Sequence, residues 1–252
     1  MTTVNIGELE IVTGGAPCVC TSIMGEDLEA IAASARRAAE APVNLIEWRV
    51  DQFANADDPA SVRCAIALLK SLIGKLPLLA TVRTTDEGGA YSGSREAYTA
   101  LVNTLLETGS IDAVDVELAR AADFGCSIAA KAAELGVALV LSYHNFSSTP
   151  SCDKMLEIIR TMQDLGCDIA KIAVMPRSSD DVLELLKVAS IARDEDRTPV
   201  AAISMGRLGM ISRLAGGIFG SVLTFCSAGE ESAPGQPDAQ LLKDVFKALY
   251  YK

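Results

Sequence analysis

Short apolar runs alternate with longer amphipathic stretches along the whole chain. Runs rich in Val, Ile and Leu occupy residues 16–22, 43–50, 77–82, 113–117, 137–143, 169–174, 199–204 and 218–225. Each is bounded by turn-forming residues, the pattern of a buried strand. Between them, residues 27–39, 59–74, 94–108, 121–135, 151–165 and 179–192 read as helices, and a last helix is predicted from about 238 to 250. Pro59 and Pro150 sit near helix starts, where a missing N–H is tolerated. Gly74, Gly109, Gly136 and Gly166 sit just past helix ends. Strands and helices that alternate with short connections imply a parallel sheet. Eight such units predict an α/β fold closed as a (β/α)8 TIM barrel, with a doubly wound open sheet as the alternative. Residues 3–12 precede the first unit and alternate on their own, so they are read as a β-hairpin closing one end of the barrel. No linker or low-complexity stretch interrupts the pattern, so 1–252 is read as one catalytic domain.

The 252 residues match the roughly 250 typical of one such barrel. Half of them are hydrophobic but only 5% aromatic, so Ala, Val, Leu and Ile must build the core. The net charge of −11 disfavours nucleic acid or an anionic membrane surface as partner. Residues 1–15 show no basic and apolar leader, and no run long enough to span a membrane occurs. Seven scattered cysteines, Cys18, Cys20, Cys64, Cys126, Cys152, Cys167 and Cys226, suggest a reducing, cytoplasmic setting rather than a disulfide framework. With a single histidine and no cysteine pair at finger spacing, no metal site is expected.

In such barrels the active site lies at the C-terminal ends of the strands. Several predicted strands end in polar groups that a buried strand should not contain. Glu47, Arg49 and Asp51 alternate at the end of the second, so they share a face. The third ends at Arg83 with Glu87 just beyond, the fourth at Asp115 and Glu117, and the fifth at Ser142-Tyr143-His144. Lys171 sits inside the sixth, between apolar neighbours, and the seventh ends at Ser204-Met205, with Arg213 beyond. Each has a bland reading: Lys171 as a rim residue, Glu47 and Arg49 as a rim ion pair, Arg213 as part of a helix surface. Their convergence on one mouth favours function.

An amine held among apolar side chains loses the hydration of its ammonium form, so Lys171 is expected to act as a nucleophile on a carbonyl. The resulting iminium acidifies the neighbouring carbon, whose proton His144 would carry to a leaving hydroxyl. Glu87 is placed to orient the imidazole, and Arg213 to clamp a substrate carboxylate. The small residues of 229–236 suit a loop that closes over the site.

These residues resemble the type I 3-dehydroquinate dehydratase family. The resemblance rests on Glu47-Trp-Arg-Val-Asp51, Ala80-Thr-Val-Arg83 with Glu87-Gly-Gly89, Ser142-Tyr-His-Asn-Phe146, Lys171-Ile-Ala-Val-Met-Pro176, Ile211-Ser-Arg-Leu-Ala-Gly216 and Ser232-Ala-Pro-Gly-Gln236, and it covers essentially the whole chain. It implies dehydration of 3-dehydroquinate to 3-dehydroshikimate without metal or cofactor, by a homodimer of the shikimate pathway. It implies Lys171, His144 and Glu87 as catalytic residues. Ser22, Glu47, Arg49, Arg83, Met205, Arg213, Ser232 and Gln236 then bind the substrate. Tyr143 and Asn145 depart from the family's usual neighbours of the histidine. The competing readings are another Schiff-base barrel, such as a class I aldolase, and a barrel that only binds.

Overall fold

Among the described residues, ten strands and nine helices follow one another in the order the sequence pattern requires. The structure is a computed structural model and describes residues 2–229 and 231–251, without the side chains of residues 125–127. Glu230 in the predicted covering loop and the side chain of Cys126 therefore lie outside the described residues. The strands are β1 (Thr3–Ile6), β2 (Leu9–Val12), β3 (Cys18–Ile23), β4 (Leu45–Arg49), β5 (Leu78–Thr81), β6 (Ala113–Glu117), β7 (Ala138–Asn145), β8 (Ile169–Val174), β9 (Val200–Ser204) and β10 (Leu223–Cys226). The helices are α1 (Leu28–Glu40), α2 (Pro59–Ile73), α3 (Arg95–Glu107), α4 (Leu118–Ala121), α5 (Ile128–Glu134), α6 (Cys152–Asp164), α7 (Ser179–Asp194), α8 (Met210–Ala215) and α9 (Ala239–Leu249).

Eight strands form one parallel sheet in the order β10-β3-β4-β5-β6-β7-β8-β9. The sheet closes between β9 and β10 through the parallel bridge Val200–Ser221, with Val222 N–H donating to Val200 O at 2.9 Å. The alternative of an open, doubly wound sheet is thereby corrected. Hairpin β1–β2 pairs antiparallel outside this sheet. Val4, Ile6 and Ile11 of the hairpin join Leu45, Leu79, Ala113 and Ile169 in one apolar cluster inside the barrel. That cluster plugs the N-terminal end. A second, larger core lies between strands and helices and includes Trp48, Leu69, Leu105, Ile159 and Leu185.

Helix starts follow local chemistry. Asp27, Asp58, Ser94, Ser151 and Asp238 accept backbone N–H groups of the first turns of α1, α2, α3, α6 and α9. Ser178 and Asp181 form a reciprocal capping box on α7. Gly136, at φ 68°, lets the chain stop at α5 and turn at once into β7.

Two expectations need revision. The helix predicted over 121–135 is broken into α4, a 3-10 segment over Ala122–Ser127, and α5. Asp123, Gly125 and Ser127 are poor helix formers, which disfavours a continuous helix across this stretch. The strand predicted over 218–225 begins only at Leu223, because Gly216–Phe219 forms a 3-10 turn. The helix expected to carry Arg213 is only the short α8. Its six residues are too few to show a period.

Candidate active site

The strand period of two decides what the barrel holds. Inward positions near the N-terminal end are apolar: Cys20, Leu45, Leu79, Ala113, Val140 and Ile169. Two residues further along the same strands, the inward side chains are Ser22, Glu47, Thr81, Asp115, Ser142 and Lys171. The register pairs Ser22 with Glu47, Thr81 with Asp115 and Ser142 with Lys171 across neighbouring strands. A polar layer thus rests on an apolar floor. Arg49, Arg83 and His144 stand above it, toward the mouth.

Lys171 is 4% exposed. Its Nζ donates to Asp115 Oδ2 at 2.9 Å, lies 3.8 Å from Glu47 Oε1, and sits 4.5 Å from the centre of the Phe225 ring. The sequence reading expected apolar surroundings. The apolar neighbours Ala170 and Ile172 in fact face the helices, and two carboxylates flank the amine. Asp115 also accepts from Arg83 Nη2 at 2.7 Å and Ser142 Oγ at 2.6 Å. Burial alone would raise the Asp115 carboxyl, but Arg83 and Lys171 hold it well below the usual carboxylate range. Arg83 further reaches Ser142 Oγ, Glu117 and Glu87. Glu117 in turn receives the Thr84 N–H and hydroxyl at 2.8 and 2.7 Å.

His144 Nδ1 is 2.8 Å from Glu87 Oε2, which also accepts the His144 backbone N–H at 3.1 Å. Arg83 Nη1 approaches the same oxygen at 3.5 Å. An oxygen already receiving two N–H groups is an acceptor, so the shared proton belongs on Nδ1 and Nε2 is left as the basic nitrogen. Burial pushes the Glu87 carboxyl up to about 8, against the pull of Arg83 and with help from Glu117 and Asp115. Burial, with Arg83 and Lys171 nearby, pushes the imidazole well below its ordinary value of 6.5, which favours the neutral ring.

Arg49 does not pair with Glu47. It makes a two-point contact with Asp51, at 2.8 and 2.7 Å. Glu47 instead bonds Ser22 at 2.5 Å and Thr81 at 2.9 Å. Arg213 does not face solvent either, although its helix is short. It is 2% exposed, and among the described residues its guanidinium donates to the carbonyls of Phe225 and Pro234 at 3.5 and 3.3 Å. Its Nε has no hydrogen-bond partner among the described residues. Burial pushes this guanidinium down to about 10.

The loop after β10 lies across the mouth. Ser232 Oγ is 2.8 Å from Ser22 Oγ, Gln236 bonds Ser232 through both ends of its amide, and Gly206 N–H donates to Pro234 O at 3.0 Å. Beneath it is a half-enclosed cavity at the mouth of the barrel. Glu47, Arg49, Arg83, Glu87, His144, Lys171, Met205, Arg213, Ser232 and Gln236 all line it, and Ser22 lies behind Glu47 and Ser232. Phe146, Ala173, Ile203 and Phe225 supply apolar wall.

Sequence reasoning noted Asp115, Glu117 and Asp51 at strand ends but gave them no part in the site. The available signal was an acid at an inward strand position, which needs a buried cation. The departures at 143 and 145 have a local account. Asn145 accepts the N–H groups of Ser147 and Ser148, capping the turn after β7, and its amide reaches the Tyr143 hydroxyl at 3.3 Å.

Comparison with known proteins agrees with this geometry. The family model described as "Type I 3-dehydroquinase" matches residues 19–252. The chain is 38% identical over 237 residues to a 3-dehydroquinate dehydratase of Geobacillus thermodenitrificans, covering 94% of this chain and 92% of that one. It is 38% identical over 253 residues to that of Salmonella agona, covering 99% of both. The crystal structure of a type I 3-dehydroquinate dehydratase from Clostridium difficile, with covalent modified comenic acid, superposes with a TM-score of 0.93. Its sequence is 36% identical, and the match covers 99% of this chain and 98% of that one.

Proposed function

The chain belongs to the type I 3-dehydroquinase family and is a 3-dehydroquinate dehydratase, a hydro-lyase, and from that premise we propose that it works through a Schiff base on Lys171. The observation that carries the reading is that Lys171 and the chain's single histidine line one covered cavity, with the histidine oriented by a buried glutamate.

The chemistry follows from the groups present. The Lys171 ammonium and the substrate ketone become an iminium and one water, with no net change in protons. The iminium draws electrons from the adjacent carbon. Nε2 of neutral His144 takes a proton from that carbon, and an enamine forms. The enamine expels the hydroxyl one carbon further on, which leaves as water with the proton His144 holds. Water then hydrolyses the conjugated imine, freeing 3-dehydroshikimate and the lysine. Because the imine is the electron sink, the sequence of steps calls for no metal or organic cofactor.

Arg213, a buried cation with unused donors, receives the substrate carboxylate as a two-point partner. Glu47, Arg49 and Arg83 face the ring hydroxyls, and Met205 packs on the ring. Ser22, Ser232 and Gln236 hold the covering loop down. The whole of residues 1–252 serves as one catalytic domain. The reaction places the protein in the shikimate pathway to chorismate and aromatic amino acids. A homodimer is the assembly the family resemblance supports, and the free thiols Cys18, Cys20, Cys64, Cys152, Cys167 and Cys226 agree with a reducing, cytoplasmic compartment.

Borohydride trapping tests the mechanism. Protein incubated with 3-dehydroquinate, reduced and digested should carry the adduct mass on Lys171. Turnover without any trapped adduct would discard the covalent route.

A further inference from the structure

Beyond the lysine, the histidine and its glutamate, one buried group stands against the reacting nitrogen and has been given no role. Asp115 is 1% exposed and lies under the cavity floor rather than on its wall. Its two oxygens are divided between partners. Oδ2 takes the Lys171 amine at 2.9 Å, and Oδ1 takes Arg83 Nη2 at 2.7 Å and the Ser142 hydroxyl at 2.6 Å. Arg83 and Ser142 therefore fix the carboxylate in both charge and angle. Only Oδ2 is left for the amine.

The number of N–H groups on the nitrogen changes during the reaction. An ammonium has three, and it can satisfy Asp115 in several rotations about its last bond. A protonated imine has one. That single N–H lies in the plane of the C=N bond, so whatever accepts it sets the plane of the imine. Asp115 at 2.9 Å is the nearest anionic acceptor, and Glu47, the alternative, is 3.8 Å away and already engaged with Ser22 and Thr81. His144 follows Ser142 by two residues on β7, so it stands roughly 6–7 Å nearer the mouth than the layer that holds Asp115. The acceptor and the base thus approach the imine from different levels of the barrel.

We propose that Asp115 is the positioning residue of the Schiff base: it takes the one N–H of the iminium, serves as its counter-ion, and so orients the C=N plane to present one of the two hydrogens on the adjacent carbon to His144. This rests on the Schiff-base reading above. No atom is transferred to or from Asp115. Its effect is on which hydrogen is removed and on how much iminium accumulates.

The test compares wild type with Asp115→Asn, using 3-dehydroquinate deuterated at one of the two hydrogens beside the ketone. Wild type is the control for the premise: without a trapped adduct on Lys171 there, the Schiff-base reading fails and the test of Asp115 does not begin. With that control met, Asp115→Asn is expected to lower kcat at least about tenfold, as for loss of one preorganised charge at a reacting centre. KM should stay within a few-fold, because Asp115 does not line the cavity. The trapped fraction should fall, and retention of the deuterium label should move toward a mixture of both hydrogens. A folded variant with wild-type selectivity and a wild-type trapped fraction would show that Asp115 only supports Arg83. If Asp115→Asn does not fold, Ser142→Ala decides. It removes one tether of Oδ1 and should shift the same selectivity by a smaller amount, and unchanged selectivity there overturns the proposal.

Discussion

Glu87 Oε2 lies 2.8 Å from the ring Nδ1 of His144 and 3.1 Å from the backbone nitrogen of the same residue, so one oxygen holds both ring and chain. The 3-10 turn Thr85–Glu87 delivers that carboxylate from beyond β5, and Gly88 follows it at φ 78°, where its missing side chain leaves room for the Phe146 ring. The histidine's position is therefore set by a loop, although the residue itself is on a strand.

The Glu87 carboxyl gives a sign to pH dependence. In the unfolded chain it ionises near 4.5, whereas in the folded protein it keeps its proton to about 8. Between those values unfolding releases a proton. The stability Glu87 contributes is complete below about 4.5 and is lost as pH rises toward 8. Glu87→Gln removes that slope. Its Tm relative to wild type should climb by roughly 2–6 °C between pH 5 and pH 8, measured by calorimetry at matched ionic strength. A constant difference across that range would contradict the raised carboxyl.

His144→Ala leaves Lys171 and Asp115 untouched. Imine formation should survive while proton removal stalls, so kcat should fall by about two to four orders of magnitude. Borohydride-trapped adduct at Lys171 should accumulate above the wild-type level. Mass spectrometry of the reduced protein reads this directly, and its absence would reverse the order of steps assigned to the two residues.

Arg213 couples stability to binding with opposite signs. A buried guanidinium whose Nε has no partner among the described residues is costly until a carboxylate arrives. Arg213→Met should raise the Tm of the free protein, by an amount equivalent to about 1–3 kcal/mol. It should also raise KM at least a hundredfold, since about 3 kcal/mol of charge-assisted contact is lost. Steady-state kinetics and thermal melts on the same preparation check both halves. A variant with lower Tm and normal KM would place the substrate carboxylate elsewhere.

The covering loop can be held off by one methyl group. Gly235 has φ 77°, and a Cβ there would come within 2.4 Å of the Gly206 carbonyl oxygen. The strained backbone alone costs about 1–2 kcal/mol for alanine, and the contact adds to it. Gly235→Ala should lower kcat/KM about tenfold or more while leaving Tm close to wild type, because the loop contributes little to the core. A large drop in Tm with normal kcat/KM would assign this loop to folding rather than to closure.

How much of this was legible beforehand differs by feature. Alternating strands and helices, the hairpin over residues 3–12 and the polar strand ends all follow from local periodicity, because in parallel strands buried on both faces the polar exceptions stand out. Lys171, His144 and Glu87 are identifiable as residues for the same reason. The break at 122–127 and the bounds of the helix at 210–215 are not, since short segments have too few residues to display a period.

What the sequence determined by itself is which side chains point into the barrel and in which layer, because the strand alternation of two and a common strand direction dictate both. Tertiary structure decided which of them meet. Asp51 rather than Glu47 takes Arg49, Asp115 takes Lys171, and Arg213 turns inward from a short helix with no ion pair among the described residues. Those choices depend on the stagger of strands around a closed barrel and on loops that cross its mouth. Both are set by contacts between residues tens to hundreds of positions apart, where no local pattern carries the information.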